Sequence, residues 1–181
     1  RAWLEFDVSL HYVGVAPAHI RASNGIWTSI RRIELRESEK IVQTIDHYNL
    51  LQSLLYKYGS HPDGDNYLGE LHGIGSQAQR NAWGLIKRNY AIPIPFSCLT
   101  KEIINTTIHT GALKIKIIFE EAARWIECAN NANVTQVDYS ITDLRLKFEQ
   151  VSTPHVYRSS IINNHNNYGI KTVFDALKRF N

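Results

Sequence analysis

The chain has 181 residues, a mass of 20.8 kDa, and 44% hydrophobic against 20% charged residues. That length supports one domain or at most two small ones, and that balance allows a real core and excludes wholesale disorder. The formal net charge is +3, and the densest basic clusters, Arg31-Arg32 and Lys178-Arg179, are too short for the basic stripe of a dedicated nucleic-acid binder.

Residues 2–13 alternate. Ala2, Leu4, Phe6, Val8, Leu10 and Tyr12 share one face, and Glu5, Asp7, Ser9 and His11 share the other. Period two over this length predicts a long strand with one wet face. Residues 15–25, with Pro17 and Asn24-Gly25, read as a loop and a turn. Residues 26–36 are rich in β-branched and aromatic residues and predict a second strand, and residues 41–45 a third, short one. The period then changes. Tyr48, Leu51, Leu54, Leu55 and Tyr58 recur at three- and four-residue steps, which predicts an amphipathic helix capped by Asp46 and ending at Gly59. Residues 60–81 are the least regular stretch and read as a long loop.

Tyr90, Ile92, Ile94 and Phe96 alternate again, with Pro93 and Pro95 between them, which predicts an edge or bulged strand. Residues 99–110 are ambiguous. Leu113, Ile115, Ile117 and Phe119 alternate with charged positions and predict a strand. Residues 121–129 are short and mixed, and 130–133 a loop. Residues 134–151 read as strand in two pieces, with Leu144, Leu146 and Phe148 inward and Arg145, Lys147 and Glu149 outward. Residues 152–168 look like a polar connector, and 172–180 a short amphipathic helix. The expected fold is mainly β: an antiparallel jelly-roll β-sandwich with one or two short helices. Its domain would span residues 1–151, with 152–181 leading toward a further domain.

The search for chemistry is largely negative. No apolar run approaches the roughly eighteen residues of a membrane span. The chain holds no methionine and has no signal-peptide pattern, which suggests a piece of a longer polypeptide. Cys98 and Cys128 are too few for a disulfide scaffold or zinc ribbon; buried reduced thiols are expected, with a disulfide left open. Gly73-Ile74-Gly75-Ser76-Gln77-Ala78 fits a dinucleotide fingerprint in letters, but no convincing strand precedes it, so a loop is expected. Asp63-Gly64-Asp65-Asn66 fails as a calcium loop, because Leu68 and Ile74 occupy the positions that need Gly and Glu. No two of the eight histidines stand at the H-x-H or H-x-x-x-H spacing of a cupin metal site. A Cys98–His109 dyad has no local support, and the sequons at Asn105 and Asn133 read as chance. Glu120-Glu121 with Asp138 and Asp143 could pair as glycosidase carboxylates, and Trp3, Trp27, Trp83 and Trp125 could form a stacking platform; surface acids and core tryptophans are the ordinary alternatives. No catalytic residue, cofactor site or metal site is assigned.

Four stretches carry a family resemblance by their order: Asn24 to Leu35, with its small turn and strand arginines; Ile45 to Leu55, with Tyr48-Asn49 in a helix after a short strand; Tyr90-Ala91-Ile92-Pro93-Ile94-Pro95-Phe96; and the strands Leu113 to Phe119 and Tyr139 to Phe148. Together, over residues 2–151, they resemble the first jelly roll of a double jelly-roll major capsid protein of tailless icosahedral DNA viruses, virophages and Polinton-like elements. The second roll of that family is missing here, so a single-jelly-roll virion protein such as a penton is the related alternative. The resemblance implies a non-enzymatic capsid protein of the virion, assembled in the host cell as homotrimers with other capsid proteins, with no specific nucleic-acid partner. Trp27, Arg31, Arg32 and the 60–81 loop would then lie near subunit contacts. The competing reading is a non-catalytic β-sandwich module that binds carbohydrate or protein. A cupin- or glycosidase-type enzyme ranks last.

Overall fold

The computed structural model describes residues 2–15, 19–58, 70–96, 113–128, 134–148 and 159. The strands are β1 (Ala2–Gly14), β2 (Ile20–Ala22), β3 (Ile30–Glu37), β4 (Lys40–Asp46), β5 (Arg88–Pro93), β6 (Leu113–Phe119), β7 (Ile126–Cys128) and β8 (Val134–Phe148). The helices are α1 (Tyr48–Tyr58), α2 (Gln77–Trp83) and the single turn α3 (Ala122–Trp125), with a 3-10 turn at Ile26–Ser29. The fold is mainly β, as expected. All strand pairs are antiparallel, in the orders β5-β1-β8, β4-β3-β6 and β2-β7.

The two larger sheets enclose the core with the faces that the alternation marks. Ala2, Leu4, Phe6 and Val8 of β1 are buried, as are Ile33 and Leu35 of β3 and Ile45 of β4. Phe6 meets Phe119 edge-on at 6.4 Å between ring centroids, which ties β1 to β6 across the core. β5 is an edge strand among the described residues, in keeping with its proline, and Pro93 is its last residue.

Several expectations are corrected. The segment 26–29 is not strand: Gly25 takes φ 85°, and Thr28 Oγ1 and Ser29 Oγ donate to the carbonyls of Gly25 and Ile26 at 2.6 and 2.7 Å, curling the chain into a 3-10 turn. β2 lies within the stretch read as loop; three residues are too few to show a period. Residues 77–83 form α2 instead of loop, started by a reciprocal capping box in which Ser76 Oγ accepts from Gln79 N and Gln79 Oε1 accepts from Ser76 N. Among the described residues no strand leads directly into the turn before this helix, so the dinucleotide geometry is not formed. β8 is one strand of 15 residues, not two pieces. One extra residue on β8 shifts its register against Glu5 and Asp7, and Asp143 takes φ 55° at that bulge.

Leu146 and Phe148 stand opposite Leu4 and Ala2 and share their face. They are nevertheless 42% and 62% exposed, and Leu144 is 48% exposed. β8 is a sheet edge among the described residues, so its inward face is covered only from the β1 side. Cys128 has a free, half-buried thiol. Cys98, His109, the Asp63 turn and the segments 99–110 and 152–181 lie outside the described residues, apart from Ser159.

Tyr48 fastens α1 to the sandwich. Its side chain is fully buried, and its hydroxyl donates to the Pro93 carbonyl at 2.7 Å. Burial pushes this phenol above its ordinary 10.0, and Tyr90 moves the same way for the same reason. A phenol with a raised folded-state pKa keeps its proton while the unfolded chain loses one. Its stabilisation is therefore fully present below pH 10 and falls as pH rises further, by about 1.4 kcal/mol per pH unit for Tyr48. Urea titrations at pH 9 and 11 are expected to show this decline, with a shallower slope in Tyr48→Phe. Equal slopes in both chains would contradict the assignment.

Candidate functional site

Of the residues singled out in the sequence, Trp27 packs against α1. Trp27 lies beneath it, 2% exposed. Its indole Nε1 donates to Ser53 Oγ at 3.1 Å, and its ring packs on Tyr56 at 5.5 Å and on His72 at 5.7 Å. Trp27 thus lies in the core, with little area of its own to offer a second protein. Its role is to clamp α1.

Arg31 and Arg32 sit at the start of β3. A bulge against β6 falls between Ile30 and Arg32, and Arg31 is exposed there. Arg32 is half-buried and does not point freely outward. It reaches Glu34 at 2.9 Å and Asp46 at 3.3 Å. Arg36 grips the other oxygen of Glu34 at 2.8 Å. Glu34 is almost fully buried between the two guanidinium groups, an arrangement that satisfies a carboxylate shielded from water. Asp46 was expected to cap the helix. It ends β4 and is held by Arg32, while His47 bridges strand and helix at φ 53° and its carbonyl accepts from Leu51 N.

α1 buries only one edge. Tyr48 and Gln52 are buried and Leu51 packs against the core, but Leu50, Leu54, Leu55 and Tyr58 are 46–74% exposed. Leu54, Leu55 and Tyr58 were expected on the buried face. The clamp at Trp27 and Tyr48 rotates them outward, and Leu50, Leu54 and Tyr58, at four-residue steps, form an apolar ridge.

An open groove of about 370 Å³ lies at the head of the helix, lined by Thr28, His47, Asn49, Leu50, Ser53, Glu120 and Arg124. Glu120 is 7% exposed. Its carboxylate accepts from Glu121 N at 3.2 Å and from Asn49 Nδ2 at 3.4 Å, with Arg124 Nε 3.7 Å away. These are long contacts, so the carboxylate retains accepting capacity toward the groove. Tyr139 donates to the Glu120 carbonyl at 2.7 Å, and burial is the main cause of its raised phenol pKa. The ridge and groove together present a mixed apolar and polar face, the composition of a protein contact surface.

The other candidates do not assemble into a site. Glu120 and Glu121 share Arg124, whereas Asp143 pairs with Arg145 and Asp138 accepts from Tyr139 N, so the four acids do not gather at one site. Trp125 is in the core against Tyr139, and Trp83 stacks under the Arg88 guanidinium at 3.9 Å. Among the described residues no group of three or more His, Cys, Asp or Glu is placed to hold a metal ion, and no helix is long and apolar enough to cross a membrane. The α1 ridge was missed because helical spacing marks apolar residues without saying which of two apolar edges faces inward; the paired anchors Trp27 and Tyr48 were the available signal. Compared with known proteins, the chain matches no family model, no curated protein and no solved structure.

Proposed function

We propose that this chain is a structural subunit of an icosahedral viral capsid, a jelly roll that assembles into trimeric capsomers through the face centred on α1. The observation that carries this reading is the exposed ridge Leu50, Leu54 and Tyr58 on a helix fixed rigidly to the sandwich. Burying a leucine contributes about 1.5–3 kcal/mol, so a ridge of this kind stabilises association in proportion to what covers it. The pairing of β1 with β8 over most of their lengths supports the jelly-roll reading, because it joins the first and last long strands of the described chain. The ordered resemblance to the first jelly roll of double jelly-roll capsid proteins supports the substrate-free, self-associating role. Copies of the chain and other capsid proteins are the partners, and the virion is the location.

Negative-stain imaging of native source material, together with the mass of the intact polypeptide, tests this. Icosahedral particles built from a subunit more than twice 20.8 kDa are expected. Particles whose subunit has about this mass would make it a single-jelly-roll or penton protein, and no particles at all would sink the capsid reading.

The groove favours a second reading, a non-catalytic carbohydrate-binding module, because hydroxyl, amide and carboxylate groups line it. Saturable binding of an oligosaccharide to a monomeric chain would put that reading first.

A further inference from the structure

Two buried N–H groups lack an acceptor where α2 meets the β2–β7 ribbon. The indole Nε1 of Trp125 and the guanidinium Nε of Arg80 are shielded from solvent and make no hydrogen bond. A buried donor left unpaired costs about 1–3 kcal/mol, and more when it belongs to a charged group. Both side chains line one small cavity, with about 10 Å³ of room for a water-sized sphere and walls that include the apolar Val8, Leu10, Ile26 and Tyr90. The two residues also bracket the same stretch of backbone. Arg80 Nη1 donates to the carbonyls of Ala22 and Ser23, and Ser23 N donates to the Trp125 carbonyl at 2.9 Å. The partners of Arg80 are thus neutral carbonyls, and its charge has no counter-ion in contact among the described residues.

We propose that this cavity is a binding site for one small hydrogen-bond acceptor, a water molecule or a halide ion, which takes the Trp125 and Arg80 N–H groups together. The volume suits a single particle of this size and excludes a carboxylate or phosphate. The acceptor would pair both stranded donors at once and so fasten α2 to the ribbon beneath it.

Indole signals of the nitrogen-15-labelled chain test the proposal, since four tryptophans give four such signals and Trp125→Phe identifies the relevant one. In halide-free buffer, a cross-peak from the Trp125 indole proton to a long-lived water is the expected result for water. For a halide, the expected result is a saturable shift of that signal on adding bromide, with the Trp27 indole, already bonded to Ser53, unmoved. Arg80→Lys keeps the charge and removes the Nε–H, and it is expected to abolish whichever signature is seen. Absence of both signatures in the wild-type chain, or a signature unchanged in Arg80→Lys, would overturn the site.

Discussion

Replacing Trp27 with alanine is expected to cost about 3–5 kcal/mol of folding stability, because the change empties a large, almost fully buried site. That is a large share of the roughly 5–15 kcal/mol that holds a domain together. The loss has three parts: the indole area, the bond to Ser53 Oγ, and the ring contacts to Tyr56 and His72. All three bear on α1, so helix content should fall with the first part of a urea transition followed by circular dichroism. Arg31→Ala is the matched control. Its side chain is exposed, and its stability should stay within about 0.5 kcal/mol of wild type. A Trp27→Ala chain as stable as Arg31→Ala would contradict the clamp. This pair also separates two roles that look alike in the sequence, since only Arg31 has surface to give to a neighbour.

The second large effect is expected at Gly84, which closes α2. Its φ of −66° is available to any residue, so conformational strain is not the issue. The close approach of another strand is. A Cβ at Gly84 would stand 1.7 Å from the Ile20 carbonyl oxygen, a backbone atom held in the β2–β7 pairing. Neither side can yield without moving a helix or a strand. Gly84→Ala should therefore cost about 3 kcal/mol, at the upper end of ordinary overpacking, and lower the melting temperature by roughly 6–12 °C for a chain of this size. A drop of less than about 2 °C would show that α2 does not pack on β2 as described.

Much of the sandwich was legible because alternation over seven or more residues leaves little freedom. β1 and β6 lie where the pattern puts them, and the prolines around Ile94 marked an edge strand. What was not legible depends on partners far away in sequence. The half-exposure of Leu146 and Phe148 follows from the position of β8 at an edge, which alternation does not encode. The 3-10 turn at Ile26–Ser29 hides inside a β-rich run because two hydroxyls turn back on the backbone. The capping box at Ser76 was readable but stood in a glycine-rich stretch that suggested a loop. For the candidate face, depth was not legible: Trp27 is an anchor below α1, and Leu54 and Tyr58 of the helical stripe stand outward with Leu50 as an exposed ridge.

The central claim, self-association through the α1 face, is tested most directly by sedimentation equilibrium across a range of concentrations, comparing the wild-type chain with a Leu50→Asp, Leu54→Asp double variant. Both leucines are exposed, so the variant should melt as wild type does. The account predicts a species of three times 20.8 kDa for the wild type and a single chain for the variant. A wild-type chain that sediments as a monomer at every concentration, or a trimer that survives both aspartates, would contradict it.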